Sequence, residues 1–367
     1  MKNIIIAPDS FKGTLSSPEV CSIISRTLKE KYPDCITTLI PVADGGEGTS
    51  DAYLKIFGGR KVHLSAKSPL GRDTDVWYAL LPDGTAVIET AAASGITVEK
   101  ENNALLASTY GTGQMILHAL KNGAKKLILG LGGSATTDGG SGLLSALGAK
   151  FLDENGNDVK AGGKYLSDIH NIDLSGITKE IYKAEITVLC DVKNPLYGTN
   201  GAAYVYAPQK GASEDDVKLL DEGLRNFARV SEAVLGKDFS FYEGAGAAGG
   251  SGFALVAFFN GRLKRGIDTL LDAAAFEEKA KNADLIITGE GKMDEQSFMG
   301  KVPFGVASRS GKTKVIAVVG IFEGDREKAR EKGIWEIYET NFLHKPFEKI
   351  KHSAKDDLIN TVKKIEI

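Results

Sequence analysis

Short runs of consecutive apolar residues alternate with stretches whose apolar positions recur every three or four residues, and this rhythm governs both ends of the chain. Asn3–Ala7 is a β-branched apolar run of the kind that forms a strand buried on both faces. Ser17-Pro18 then opens a helix, with Ser as the cap and Pro at the first helical position; Val20, Ile23, Ile24 and Leu28 follow at helical spacing. Cys35–Val42 predicts a second strand, and Gly46–Phe57 a second helix stopped by Gly58-Gly59. From about residue 60 the texture changes. His63–Ser65, Val76–Leu81 and Thr85–Thr90 predict short strands, the last two joined by the turn signal Pro82-Asp83-Gly84.

Further along, the pattern predicts a helix over Thr112–Asn122, a strand over Lys125–Leu129 and a helix over Gly142–Leu147. Ile186–Cys190 and Ala203–Tyr206 read as strands, and Asp215–Leu235 as a long amphipathic helix. The parallel rhythm then returns: helix Ile267–Asn282, strand Asp284–Thr288, helix Val302–Ser308, strand Lys314–Val319, helix Asp325–Lys332, strand Trp335–Tyr338 and helix Ala354–Lys364. The simplest architecture is an α/β protein in which residues 1–59 and 265–367 form one discontinuous, doubly wound parallel-sheet domain. Residues 60–264 would form a larger inserted domain of mixed α/β type.

Composition narrows the class of function. Of 367 residues, 42% are hydrophobic and 25% charged, as in an ordinary globular protein. The net charge of −3 leaves no basic domain, which argues against nucleic acid as a partner. No apolar run approaches membrane-spanning length, and Met1–Pro8 is too short an apolar stretch for a signal peptide. Cys21, Cys35 and Cys190 have no metal-type spacing, so a reducing, cytoplasmic setting is expected. The sequence carries no signal for an oligomeric state.

The candidate chemistry lies in glycine-rich loops. Gly130–Gly142 reads Gly-Leu-Gly-Gly-Ser-Ala-Thr-Thr-Asp-Gly-Gly-Ser-Gly and follows a predicted strand. Glycines let backbone N–H groups approach an anion, and hydroxyls add short donors. Ala43–Thr49 and Gly289–Ser297 carry the same mixture. Phosphoryl transfer needs N–H donors on phosphates, a divalent cation on carboxylates, and a base for the attacking hydroxyl. Asp9, Asp44, Asp191 and Asp294 lie in predicted post-strand loops, with Asp138 inside the glycine loop and Glu290 just past a strand. Lys12 and Lys292 are the candidate cations for anionic ligand groups. Two nucleotide fingerprints fail on context. Gly305 and Gly311-Lys312-Thr313 are separated by one residue too many for a P-loop and precede a strand. The dinucleotide pattern at Gly130–Ala135 runs into further glycines where a helix should begin.

Six segments together resemble the signatures of the bacterial type-1 glycerate kinase family. They are Ala7–Gly13, Pro41–Thr49, Thr109–Gly113, Gly132–Gly140, Cys190–Pro195 and Gly289–Ser297, in the family's order, with departures at Thr137 and Lys292. The resemblance implies a flavodoxin-like domain made from both chain ends, an inserted domain, and a site in the cleft between them. It also implies ATP-dependent phosphorylation of D-glycerate with Mg²⁺ to give 2-phosphoglycerate. On that basis Ser10, Lys12 and Asp9 are expected at the glycerate, with Lys12 also counted among the catalytic residues. Gly132, Gly133, Ser134, Thr136, Gly139, Gly289 and Lys292 are expected at ATP. Asp191 is the first candidate for the base and Asp294 the second, while Asp44 with Asp138 would hold Mg²⁺. The alternatives are the same reaction giving 3-phosphoglycerate, and a non-catalytic sensor of nucleotides or sugar acids on the same fold.

Overall fold

The structure is a computed structural model that describes residues 2–295, 297–341 and 343–367. The chain divides into two units: Met1–Asp44, Asp51–Phe57 and Gly266–Ile367 form the first, Gly45–Ser50 and Gly58–Arg265 the second. Among the described residues no helix is long and apolar enough to cross a membrane.

The first unit is built on a sheet of five parallel strands in the spatial order Ile334–Glu339, Val315–Glu323, Leu285–Asp294, Asn3–Pro8, Ile36–Leu39. Counted within this unit the order is 2-1-3-4-5, the flavodoxin-like doubly wound arrangement. The β-branched run at its N-terminus is buried because Ile4 and Ile6 pack with Val20, Ile24 and Leu28 of the first helix and with Leu358 and Val362 of the last. That first helix, Ser17–Lys31, is capped by Ser16, one residue earlier than the sequence suggested. Glu19, three residues on, accepts hydrogen bonds from the Ser16 N–H (2.9 Å) and hydroxyl (2.6 Å), which fixes the start.

The second unit carries a six-stranded mixed sheet, ordered Arg262–Lys264, Glu185–Leu189, Lys126–Gly130, Thr85–Glu89, Asp73–Leu80, Arg60–Lys67. The first four strands are parallel; Asp73–Leu80 pairs antiparallel with Thr85–Glu89 through the predicted hairpin and, along its other edge, antiparallel with Arg60–Lys67. The helix Glu214–Leu235 buries Leu220, Leu224 and Phe227 along one face and ends at Gly236, whose φ of 71° is left-handed. The fold is thus mixed α/β with parallel sheets.

Two elements differ in kind from the reading of the sequence. Ala203–Tyr206 lies in a short helix, Ala202–Tyr206, with Ala202 and Ala203 buried while Tyr204 and Val205 are exposed. Pairs of like neighbours, not alternation, are what a helical turn produces; aromatic and β-branched content alone suggested a strand. The helix expected over Ile267–Asn282 is broken into Gly266–Ala273 and Phe276–Ala280, because Ala275 takes φ of 50°. The strand expected over Asp284–Thr288 also runs on to Asp294, carrying the Gly289–Asp294 motif within the sheet.

Candidate active site

In a doubly wound sheet ligands bind beyond the carboxyl ends of the strands where the strand order reverses. In the first unit that point lies between Asn3–Pro8 and Leu285–Asp294. Pro8 pairs with Gly289 there, which sets Asp9 and Glu290 at the same edge. The Asp9 N–H donates to the Gly289 carbonyl at 2.8 Å, and its Oδ1 accepts the Ser10 N–H at 2.6 Å. A Cβ on Gly291 would stand 3.2 Å from the Lys12 backbone nitrogen, so the Phe11–Lys12 turn lies against the extended strand. Lys12 itself is exposed. Gly289 has no room for a side chain against the Val318 backbone, so its place in the strand requires glycine.

Carboxyls crowd this edge. Burial pushes the Asp9 carboxyl up to about 8, and the Asp44 and Glu290 carboxylates add to that while the Ser10 N–H opposes it. Glu290, only 7% exposed, is pushed up to about 7 by burial first; Ser297 and Lys301 pull the other way, and Asp294 and Asp44 add to the rise. Its Oε1 is buried with no hydrogen-bond partner among the described residues. Such a group of carboxyls is short of a cation. Among the described residues no three His, Cys, Asp or Glu side chains converge to hold a metal ion by themselves. Mg²⁺ ordinarily keeps several waters and takes one or two carboxylates together with substrate phosphates, so this donor set fits it. Lys292 is already paired with Glu323 at 2.8 Å, which raises the lysine, and both are about half exposed. Asp294 ends its strand with its N–H donating to Ser297 Oγ at 3.1 Å.

The second unit places three features after adjacent parallel strands: the glycine loop after Lys126–Gly130, Asp191 after Glu185–Leu189, and Arg265 after Arg262–Lys264. Arg265 Nε lies 3.8 Å from Asp191 Oδ1. The loop is anchored by backbone bonds from Ala135 N–H to Ser94 and from Gly139 N–H to Gly249, each 2.9 Å. By contrast, the N–H groups of Gly133, Ser134, Thr136, Thr137 and Asp138 donate to no protein acceptor among the described residues. Unpaired backbone donors in a folded loop are uncommon and suit an anion. The open part of the loop is narrow. Gly133 is exposed, Gly132 partly so and Ser134 only 7% exposed, while residues 135–140 are buried.

Asp138 is the post on which this loop stands. Its carboxylate is fully buried and accepts bonds from Thr109 N–H (2.8 Å), Thr109 Oγ1 (2.9 Å), Gly140 N–H (3.1 Å) and Gly142 N–H (3.2 Å). Burial raises this carboxyl, and those donors oppose the rise. Thr136 and Gly139 are likewise interior to the loop. Two charged residues escaped the reading of the sequence. Arg265 follows a three-residue strand that no periodicity marks. Lys210 sits in a Pro208–Lys210 turn of no recognisable motif, yet it is 2% exposed and reaches Ser134 and Thr136.

The model of the glycerate kinase family matches residues 4–366. A glycerate kinase of Bacillus subtilis (strain 168) is 44% identical over 337 residues, spanning 90% of this chain and 88% of that protein. A glycerate 2-kinase of Escherichia coli (strain K12) is 43% identical over 340 residues, 91% of this chain and 89% of the relative. A crystal structure of a Salmonella typhimurium LT2 protein assigned as glycerate kinase 2 superposes with a TM-score of 0.86 at 39% identity, over 99% of this chain and 96% of that one. With the sheet order and the signature loops in place from end to end, the chain belongs to the glycerate kinase family.

Proposed function

We propose that the protein transfers the γ-phosphoryl group of ATP to the 2-hydroxyl of D-glycerate, giving 2-phosphoglycerate and ADP in the cytoplasm. The observation that carries this reading is the family match over residues 4–366; the relative named as a glycerate 2-kinase supports the position of transfer. The loop's unpaired N–H groups and the cation-poor carboxyls are the two devices that phosphoryl transfer calls for.

In this reading Ser10 and Lys12 hold the glycerate carboxylate at the edge where Asp9 lies. The Gly133 and Ser134 N–H groups and the Ser134 hydroxyl hold ATP phosphates. Asp191, oriented by Arg265, takes the proton of the attacking hydroxyl, and Asp294 is the second candidate for that step. Asp44, beside Asp9 and Glu290, would hold Mg²⁺, which when bound supplies positive charge to the phosphates. Asp138, enclosed by its four donors, serves the shape of the loop.

The test is a ³¹P NMR spectrum after incubation with D-glycerate, ATP and MgCl₂. Phosphate on C2 couples to one carbon-bound proton and gives a doublet; phosphate on C3 couples to two and gives a triplet. A doublet with stoichiometric ADP is expected. A triplet would move the product to 3-phosphoglycerate, and no ADP above the background of ATP hydrolysis would replace the enzyme with a binding protein.

A further inference from the structure

Lys210 is a lysine in an unusual place. Lysines are almost never fully buried unless paired, and this one is 2% exposed. The turn Pro208–Lys210 holds its backbone, with the Lys210 N–H on the Ala207 carbonyl at 2.9 Å. Its Nζ then reaches under the glycine loop, 2.6 Å from the Thr136 carbonyl and 3.1 Å from Ser134 Oγ. The charged group that acts on it is Asp138, the buried carboxylate that holds the same loop from within.

The direction of the Ser134 bond matters. An ammonium has donors only, so the serine oxygen must be the acceptor, and its own proton is left to point elsewhere. Ser134 stands where the loop emerges from the interior, next to exposed Gly133, and its N–H is also unpaired among the described residues. A bond accepted from a cation makes the hydroxyl a stronger donor, because the chain of bonds is polarised toward the anion. At the other contact the ammonium fixes the Thr136 carbonyl, which shares its peptide plane with the unpaired Thr137 N–H. Being sealed from solvent, Lys210 cannot itself touch a ligand of any size; it acts through the loop.

We infer that Lys210 is a positioning residue for the nucleotide: its buried ammonium orients the Ser134 hydroxyl as a donor to an ATP phosphate and supplies the charge that the loop's neutral donors lack. The inference rests on the reading of the Gly132–Gly140 loop as the ATP phosphate site. It also has a titration signature. Burial lowers the lysine to about 8 with Asp138 opposing, so in the free protein the charge is lost as pH rises through that value. Bound phosphate would favour the charged form and draw a proton back.

The experiment measures binding of a non-hydrolysable ATP analogue with MgCl₂ to the whole protein by calorimetry, from pH 6.5 to 9.5, in two buffers of different ionisation enthalpy. For the unaltered protein the Kd should be flat below about pH 7 and rise by up to about tenfold per unit above about 8, with net proton uptake on binding. Phosphate monoesters take their second ionisation at about 6, and Mg²⁺ lowers that of the analogue's terminal phosphate, so its titration falls below the rise expected for the lysine. Lys210→Met should weaken binding by about 10- to 100-fold at pH 7, as expected for a lost charge-assisted hydrogen bond, and abolish the pH dependence. In a Ser134→Ala background the same change should cost less. A flat profile without proton uptake in the unaltered protein overturns the inference even if Lys210→Met fails to fold. If Ser134→Ala and Gly133→Ala weaken binding while the lysine arms are negative, only this inference falls. If both loop variants bind as the unaltered protein does, the phosphate-site reading falls with it.

Discussion

Asp9 and Glu290 keep their protons to high pH because each is buried beside other carboxyls, and that has a consequence for stability. The Asp9 carboxyl lies at about 8 in the fold against an ordinary 3.8, and Glu290 at about 7 against 4.5. Between those limits the folded chain retains protons that the unfolded chain has released. Stability therefore falls as pH rises from about 4 toward about 8 and then levels off for these groups. Calorimetry should show Tm decreasing across that window, Asp9→Asn should flatten the decline, and MgCl₂ should raise Tm more at pH 8 than at pH 5. An equal rise at both pH values would remove the carboxyl cluster from the cation site. Asp191 gives a separate prediction at this scale. Asp191→Asn should lower kcat by about 10²- to 10⁴-fold, the usual contribution of a general base, with the ATP Kd unchanged. A variant with normal turnover would pass the role to Asp294. Asp9 and Asp191 were visible in the sequence because each closely follows an apolar strand run, and Glu290 because it stands between two glycines. Lys210 was not, since one lysine among 45 basic residues has no pattern until a fold buries it.

At the scale of the element, the glycine loop is the part whose form is most tightly specified. Gly133 has φ of 76°, and a Cβ there would also come within 3.3 Å of the Ala91 methyl. Left-handed backbone costs an ordinary L-residue about 1–2 kcal/mol, so Gly133→Ala should either strain the loop or flip its peptide. A several-fold or greater loss of ATP affinity is expected, with a Tm shift of only a few degrees. A large fall in Tm with unchanged affinity would make the glycine a packing residue alone. Elements of strong periodicity, such as Glu214–Leu235 and Val302–Ser308, fall where the sequence placed them to within a residue. The failures were short ones. Four residues of Ala203–Tyr206 are too few for a period of 2 to be told from 3.6, and the break at Ala275 left no glycine or proline to announce it.

At the scale of the whole molecule, the acidic edge belongs to the first unit and the glycine loop to the second. Substitutions should therefore separate by ligand. Lys12→Ala should raise the KM for glycerate by about tenfold or more, the worth of a charge-assisted contact, while leaving the ATP Kd within a factor of two or so. Gly133→Ala should do the reverse, and crossed effects of equal size would refute the division of labour. The sequence by itself determined the five parallel strands of the first unit and the long helix Glu214–Leu235, because burial on one or both faces writes its period into the chain. It also determined the family, because the signature loops need particular residues in a particular order. Only the tertiary structure decided what surrounds each charge. It joined Asp9 to Glu290 across 281 positions of chain, enclosed Asp138 in four donors and drove Lys210 beneath Ser134. Electrostatic environment depends on distance and desolvation in space, and neither is a property of neighbours along a sequence.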